Sequence, residues 1–368
     1  MLTEDSHNLV KTIHSKMKKV KKSNELNKLY DFLYDYKENL PNYKINYFHK
    51  RSKKKYMIKK AKYIPDTISE KSYILKYYES KITSRDKNIT LKIHSNDFVD
   101  SSVNLLHGII HFVCNLAPSN TTSIEINLYL LNHKKLINMN KSSFTKNEIN
   151  SGFCRNGLFE SSITIYRKEE LIKVLIHELI HALKYDYRDD PPEVVNFYKE
   201  RYNISSEKVN SYEAYTEIWA NLINCFLISQ LHNRNQKSMF YALIRLEVDF
   251  CELQKDKVFF KSKLSEKMID INQQTNVLAY FIIRCELYQE ELFNEFLKFC
   301  RINNENYIKM TKKEDFFKKV LLNKNKNNFL KKNNRRFNNI NNKKLYFKNM
   351  RMSINELDIK HEQIHRPY

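Results

Sequence analysis

Glycine is almost missing from this chain of 368 residues: it occurs only at Gly108, Gly152 and Gly157. A chain this sparing of glycine needs a local reason for each one, and two of the three precede the motif described below. Paired cysteines are missing as well. Cys114, Cys154, Cys225, Cys251, Cys285 and Cys300 form no CxxC pair, which excludes a zinc ribbon and speaks against a disulfide framework. Cys225, Cys251 and Cys285 fall in apolar, helix-like stretches, where a free thiol behaves as a small hydrophobe, so a reducing compartment is expected. No apolar run is long enough to cross a bilayer, and the first residues carry no apolar core of signal-peptide length. The expectation is a soluble, intracellular protein of the cytoplasm with no membrane span.

Acid is in deficit: 42 Asp and Glu face 64 Lys and Arg, a net charge of +22. That balance favours anionic partners, although an A/T-rich genome writes Lys and Asn without selection for binding. The excess gathers at the ends, residues 1–85 and 301–368. The first of these reads as basic and helix-prone, with lysine-dense runs at 16–22 and 50–62. Residues 323–344 are Lys/Asn-rich and free of acid, and are expected to be disordered or loosely helical. Tyr and Phe interleave with Lys near 43–63 and 329–348, but no nucleic-acid fold signature accompanies them. The ends are therefore expected to give loose, salt-sensitive contact with nucleic acid.

What the chain does have is a hydrophobic fraction of 42 %, ample for a core, and clear periodicity from residue 88 onward. Residues 88–94, 122–131 and 161–167 alternate as strands. Residues 102–116 and 168–185 read as helices; Glu169 and Glu170 in the first turn of the second suit the positive end of its dipole. Pro191-Pro192 opens another helix, and helical stretches follow at 207–231, 237–256 and 274–300. A mixed first part and an all-helical second part predict an α+β enzyme with a cleft between two lobes. The expected organisation is a basic region 1–85, a catalytic domain 86–300 and a basic tail 301–368.

The chemistry lies in Lys173-Val-Leu-Ile-His177-Glu178-Leu-Ile-His181, an HExxH motif on a predicted helix. Histidines four apart share a helix face and can reach one metal ion. Glu178, about a third of a turn away, is set to act as general acid and base rather than as a ligand. The helix is apolar throughout, and burying two His and a Glu there without purpose would be costly. The strand directly before such a helix is expected to line the cleft and pair with an extended substrate.

A third ligand is needed. The metzincin continuation fails, because position 184 is Lys and position 187 is Tyr. Asp186, Asp189 and Asp190 follow so closely that the chain would have to double back sharply. Glu213 and Glu217 lie one helical turn apart in an apolar stretch that holds Trp219, the only tryptophan. This pair resembles the second motif of the gluzincins, HExxH peptidases whose third ligand is a glutamate on a later helix. In one register Glu213 is the ligand and Glu217 orients a histidine; in the other, Thr216-Glu217-Ile-Trp-Ala220 makes Glu217 the ligand. The first register is preferred and the second stays open.

Residues 150–181 together with 213–220 look like uncharacterised metallopeptidases encoded by giant DNA viruses, which share the Lys/Asn-rich, glycine-poor composition. The resemblance spans roughly residues 145–225. It implies a gluzincin-type zinc site and a viral setting, in host cytoplasm or virion, and supplies no substrate.

The remaining signals are weaker. His107 and His111 repeat the spacing without a following glutamate and are expected to be packed. Arg167 is expected to form a structural salt bridge with Glu170 or the Glu213/Glu217 pair. Tyr212, Tyr215 and Tyr280 are candidates for stabilising an oxyanion. The expectation is thus a zincin-like α+β fold, a small mixed sheet and the HExxH helix in one lobe and helices in the other. It would bind Zn2+ through His177, His181 and Glu213 (or Glu217) and hydrolyse peptide or protein substrates through Glu178. Its rival is a basic nucleic-acid- or virion-associated binding protein whose zinc site is structural or degenerate.

Overall fold

Alternating β-branched and charged residues build the sheet that carries the site. The computed structural model describes residues 2–14, 23–96, 100–138, 143–202, 204, 208–231, 235–262, 274–322 and 348–359. The strands are β1 (Lys44–Met57), β2 (Ser72–Ser84), β3 (Lys87–Ser95), β4 (Ser123–Tyr129), β5 (Gly152–Asn156) and β6 (Glu160–Ile165). They form one mixed sheet in the order β1-β2-β3-β4-β6-β5. β3, β4 and β6 run parallel, whereas β1 and β2 at one side and β5 at the other pair antiparallel. Ile89, Leu91, Ile93, Ile124, Ile126, Leu128, Ile163 and Ile165 are buried on one face. Each such side chain contributes about 1.5–3 kcal/mol when buried. The alternate residues are half-exposed and polar, as the Lys92–Glu125 ion pair across β3 and β4 illustrates.

Helices α4 (Asp100–Asn115) and α6 (Leu171–Ala182) pack against each other in the core beneath the sheet, and α6 also lies along β5 and β6. Short turns α3 (Asp66–Ser69) and α5 (Lys146–Ile149) join strands. The remaining part is helical: α7 (Pro192–Tyr202), α8 (Tyr212–Gln230), α9 (Gln236–Ser262), a π-helical stretch Leu278–Ile283 continuing into α10 (Arg284–Leu287), α11 (Glu290–Asn303), and α12 (Lys313–Phe316) with a second π turn, Phe317–Leu321. Two earlier helices join it, with α1 (Glu4–His14) against α9 and α2 (Asn24–Glu38) against α11. The fold is α+β, with about twelve helices and one mixed sheet among the described residues. No helix among them is long and apolar enough to cross a membrane.

Three expectations change. Residues 44–84, read as helix-prone, form β1 and β2, so the sheet runs across the boundary expected near residue 85. Charged residues mask the period there: in β2 the buried Tyr78, Ser80, Ile82 and Ser84 alternate with the less buried Glu79, Lys81 and Thr83. At the other end, residues 301–322 and 348–359 pack into the molecule rather than trailing as a tail, with Phe316, Met350 and Ile354 fully buried. Aromatics near 43–63 also serve packing: Tyr43 lies against His107 and His111, and Tyr63 against Phe153. The runs 16–22 and 323–344, including the second aromatic stretch up to 347, lie outside the described residues.

Candidate metal centre

Every residue of α6 is buried, so its polar side chains must find partners inside the protein. Its first residue follows Glu170, whose φ of 60° is left-handed. Glu169 and Glu170 do not serve the helix dipole as expected. Glu169 accepts the Lys135 backbone N–H at 2.7 Å, while Glu170 pairs with the buried Lys135 ammonium at 2.8 Å and accepts the Met352 N–H at 2.9 Å. At the other end, Asn156 and Thr121 donate to the carbonyls of His181 (2.7 Å) and Ala182 (2.8 Å), satisfying groups a helix end leaves open.

His177 and His181 stand one turn apart with Nε2 atoms 3.0 Å from each other. α8 delivers Glu213 in its first turn, and Glu213 Oε2 lies 3.3 Å from both of those nitrogens. A tetrahedral ion with bonds of about 2.0–2.1 Å holds its ligand atoms roughly 3.3 Å apart. The three atoms therefore have the spacing of one face of such a site. Among the described residues, His177, His181 and Glu213 form the group that could hold a metal ion.

The far side of each imidazole faces a carboxylate. His181 Nδ1 lies 2.7 Å from Asp186 Oδ2. His177 Nδ1 lies 2.9 Å from Glu217 Oε1, close but off the line of a good hydrogen bond. A proton on each Nδ1 turns both Nε2 lone pairs toward Glu213 Oε2, an assembly of electron-pair donors that calls for a shared cation. Burial alone would lower the His181 imidazole, but Asp186 and Glu213 outweigh it and hold it well above its ordinary value. Burial likewise would raise Glu213, and the two histidines instead hold it far below the carboxylate range. These shifts describe the same attraction for positive charge.

Glu217 is the hub beneath the site. Its carboxylate meets Lys173 Nζ at 2.7 Å and Arg284 Nη1 at 3.3 Å, and Arg284 also donates to the Met352 carbonyl at 2.6 Å. Of the two registers, the structure brings Glu213 to the paired Nε2 atoms and leaves Glu217 behind His177. Asp186 does double back, through the left-handed Lys184 (φ 56°), but arrives at the Nδ1 side of His181 rather than at the ligand face. Asp190 accepts from the Ser211 N–H at 2.8 Å, just before α8 begins, and Asp189 is exposed.

Glu178 projects into the cleft with no hydrogen-bond partner among the described residues. Burial pushes its carboxyl above the ordinary value despite the nearby histidines. Gly152 explains itself here: a Cβ would stand 2.9 Å from the Thr164 carbonyl oxygen and 3.2 Å from Glu178 Oε1. The cleft, of about 350 Å³, is floored by His177, Glu178, His181 and Glu213 and walled on one side by Gly152, Phe153 and Cys154 of β5. The free edge beside the site is thus β5, not β6, the strand directly before α6, which lies inside the sheet. Ser151 O accepts from Tyr166 N, and Gly157 N donates to Glu160 O. By antiparallel alternation, Gly152, Cys154 and Asn156 turn their backbone groups outward.

Of the three tyrosines, Tyr215 is buried elsewhere, donating to the Ile308 carbonyl at 2.6 Å. Tyr280 donates to Glu213 Oε2 at 3.1 Å, and Asn276 holds the other oxygen at 2.9 Å. Tyr212 lines the cleft with its ring 6.2 Å from that of His181, and its hydroxyl has no partner among the described residues. Arg167 pairs with none of the expected glutamates. It donates to the carbonyls of Asn147 and His133, and Lys173 and Arg284 take the role at Glu217. His107 and His111 are packed, bound to Ser80 and Ser84 at 2.7 Å each.

Comparison with protein-family models, with curated proteins and with solved structures found no match for this chain.

Proposed function

We propose that the protein is a zinc-dependent peptidase with a zincin-like arrangement. The observation that carries this reading is the convergence of His177 Nε2, His181 Nε2 and Glu213 Oε2 at tetrahedral spacing, with each Nδ1 turned to a carboxylate. Two imidazoles and one carboxylate are a donor set that suits Zn2+ and leaves a position open. A zinc ion held there supplies Lewis acidity, polarising a carbonyl and acidifying water.

The chain's own residues supply the rest. Glu178, unengaged and beside the cleft floor, takes a proton from the attacking water and returns it to the leaving amine nitrogen. Its raised affinity for protons suits the second task. Tyr212 has a hydroxyl with no partner among the described residues, and burial keeps it protonated, so it can donate to a developing oxyanion. Tyr280 and Asn276 fix the Glu213 carboxylate instead. The edge of β5, unpaired among the described residues, offers an extended peptide backbone a strand to join, which favours peptides over small substrates.

The test is cleavage of a mixed peptide library by zinc-loaded protein, followed by mass spectrometry. Wild type is expected to cut and Glu178→Gln to lose at least a hundredfold in rate, within the roughly 10²–10⁴-fold worth of a positioned acid–base group. Equal cleavage by both proteins would remove Glu178 from the chemistry, and none by either would remove the peptidase reading.

A further inference from the structure

Among the described residues, the mouth of the cleft carries charge of one sign. Beyond the floor residues, its ionisable side chains with a formal charge at neutral pH are Lys62, Arg188 and Lys208. They come from three separate segments: the loop after β1, the loop after α6 and the approach to α8. Three deeper cations are matched to acids: Lys135 to Glu170, Lys173 to Glu217 and Lys261 to Glu148. Lys62 and Arg188 have no carboxylate partner among the described residues. The cleft's two carboxylates, Glu178 and Glu213, lie at the floor, where a divalent cation would balance them and leave the charges of Lys62 and Arg188 without an acid among the described lining residues.

The rim is also held in relation to the edge strand. Tyr63 packs on Phe153 of β5 with ring centroids 5.9 Å apart, and its carbonyl accepts the Tyr166 hydroxyl at 2.9 Å, which anchors the loop bearing Lys62. Arg188 follows two residues after Asp186, the carboxylate on His181, and lines the same cleft as Cys154 of β5 and Tyr212. It therefore lies near the edge strand and the open side of the site together.

We propose that the substrate is an acidic peptide, bound extended along β5 with Asp or Glu side chains flanking the scissile bond and meeting Lys62 and Arg188. This rests on the peptidase reading above and adds its specificity. Charges on a cleft wall raise both encounter rate and selectivity for the opposite sign.

The test is fluorescence anisotropy with full-length, zinc-loaded Glu178→Gln and three labelled peptides of one length, identical except for Glu, Gln or Lys on either side of a central bond. The Glu peptide is expected to bind about tenfold more tightly than the Gln peptide, the Lys peptide least, with the gap closing in about 0.5 M salt. Adding Lys62→Glu and Arg188→Glu, with zinc content checked, is expected to invert the order. Equal affinities, or an order the double change leaves intact, would overturn the proposal. The two readings fail separately. Wild type that cuts all three peptides equally refutes the acidic preference and keeps the peptidase. Charge-selective binding without any cleavage does the reverse.

Discussion

Glu217→Gln removes one charge from the middle of a buried network while nearly preserving its shape. The Glu217 side chain is 2 % exposed and so is that of Lys173, its partner at 2.7 Å. Arg284, at 3.3 Å, is 1 % exposed. The change leaves both cations without the carboxylate they share, and an uncompensated buried charge costs about 3–5 kcal/mol. With an unfolding entropy of about 2.1 cal/mol/K per residue, a chain of 368 residues loses roughly 1.3 °C per kcal/mol, so the metal-free variant is expected to melt about 4–6 °C lower. His177 also loses the group behind its Nδ1, which typically weakens metal binding about 10–100-fold without abolishing it. Scanning calorimetry of chelator-treated protein reads the first quantity, and competition with a chromogenic chelator reads the second. Glu213→Gln, by contrast, is expected to lose stoichiometric zinc. An unchanged melting temperature together with complete loss of zinc in Glu217→Gln would make Glu217 the ligand and refute the assignment.

Further outcomes follow from the same geometry. Gly152→Ala puts a Cβ 2.9 Å from the Thr164 backbone oxygen, which cannot swing aside, so β5 must shift at a cost of about 1–3 kcal/mol. Because Glu178 Oε1 stands 3.2 Å from the same Cβ, peptide cleavage is expected to fall by about a hundredfold, whereas full rate and unchanged melting would contradict the close approach. Tyr212→Phe is expected to lower kcat by about 10²–10³-fold with KM and zinc content little changed; Tyr280→Phe is expected to act on zinc affinity instead. The pH dependence is set by sign. Burial would raise the Glu217 carboxyl, but Lys173, His177 and Arg284 hold it well below its ordinary value of 4.5, so its contribution is present above that pH and fades as pH falls through the lowered one. In urea titrations of metal-free protein, the stability gap between wild type and Glu217→Gln is expected to be constant above about pH 5 and to shrink below about pH 4.5. A gap that grows with acid would reverse the sign.

Legibility in the sequence followed locality. The four-residue spacings of His177 to His181 and of Glu213 to Glu217 express the helix repeat, so the pairing of groups on one face could be read directly. The central strands could be read because each alternates within itself. Asp186 was visible only as a poor ligand, since its use depends on a reversal at Lys184 that gives no strong local signal. β5 is five residues long, and its place at the sheet edge is fixed by pairing with β6, not by its own pattern. β1 and β2 carry lysine at solvent-facing positions such as Lys53, Lys55 and Lys81, and the pairing of β1 with β2 and of β2 with β3 overrides weak local preference. The buried segment 348–359 follows a low-complexity run, and its Met352 earns a role only through Arg284 and Glu170, groups distant in sequence. Arg167 failed for a related reason: backbone carbonyls of Asn147 and His133 compete for a guanidinium, and composition does not reveal them.

The central claim is a metal ion held by His177, His181 and Glu213 with Glu178 outside its ligands, and elemental analysis of purified wild type, His181→Ala and Glu178→Gln tests it most directly. About one zinc per chain is expected in wild type and in Glu178→Gln, and little in His181→Ala. Wild type that takes up no metal even after zinc is added back to chelator-treated protein would contradict the account.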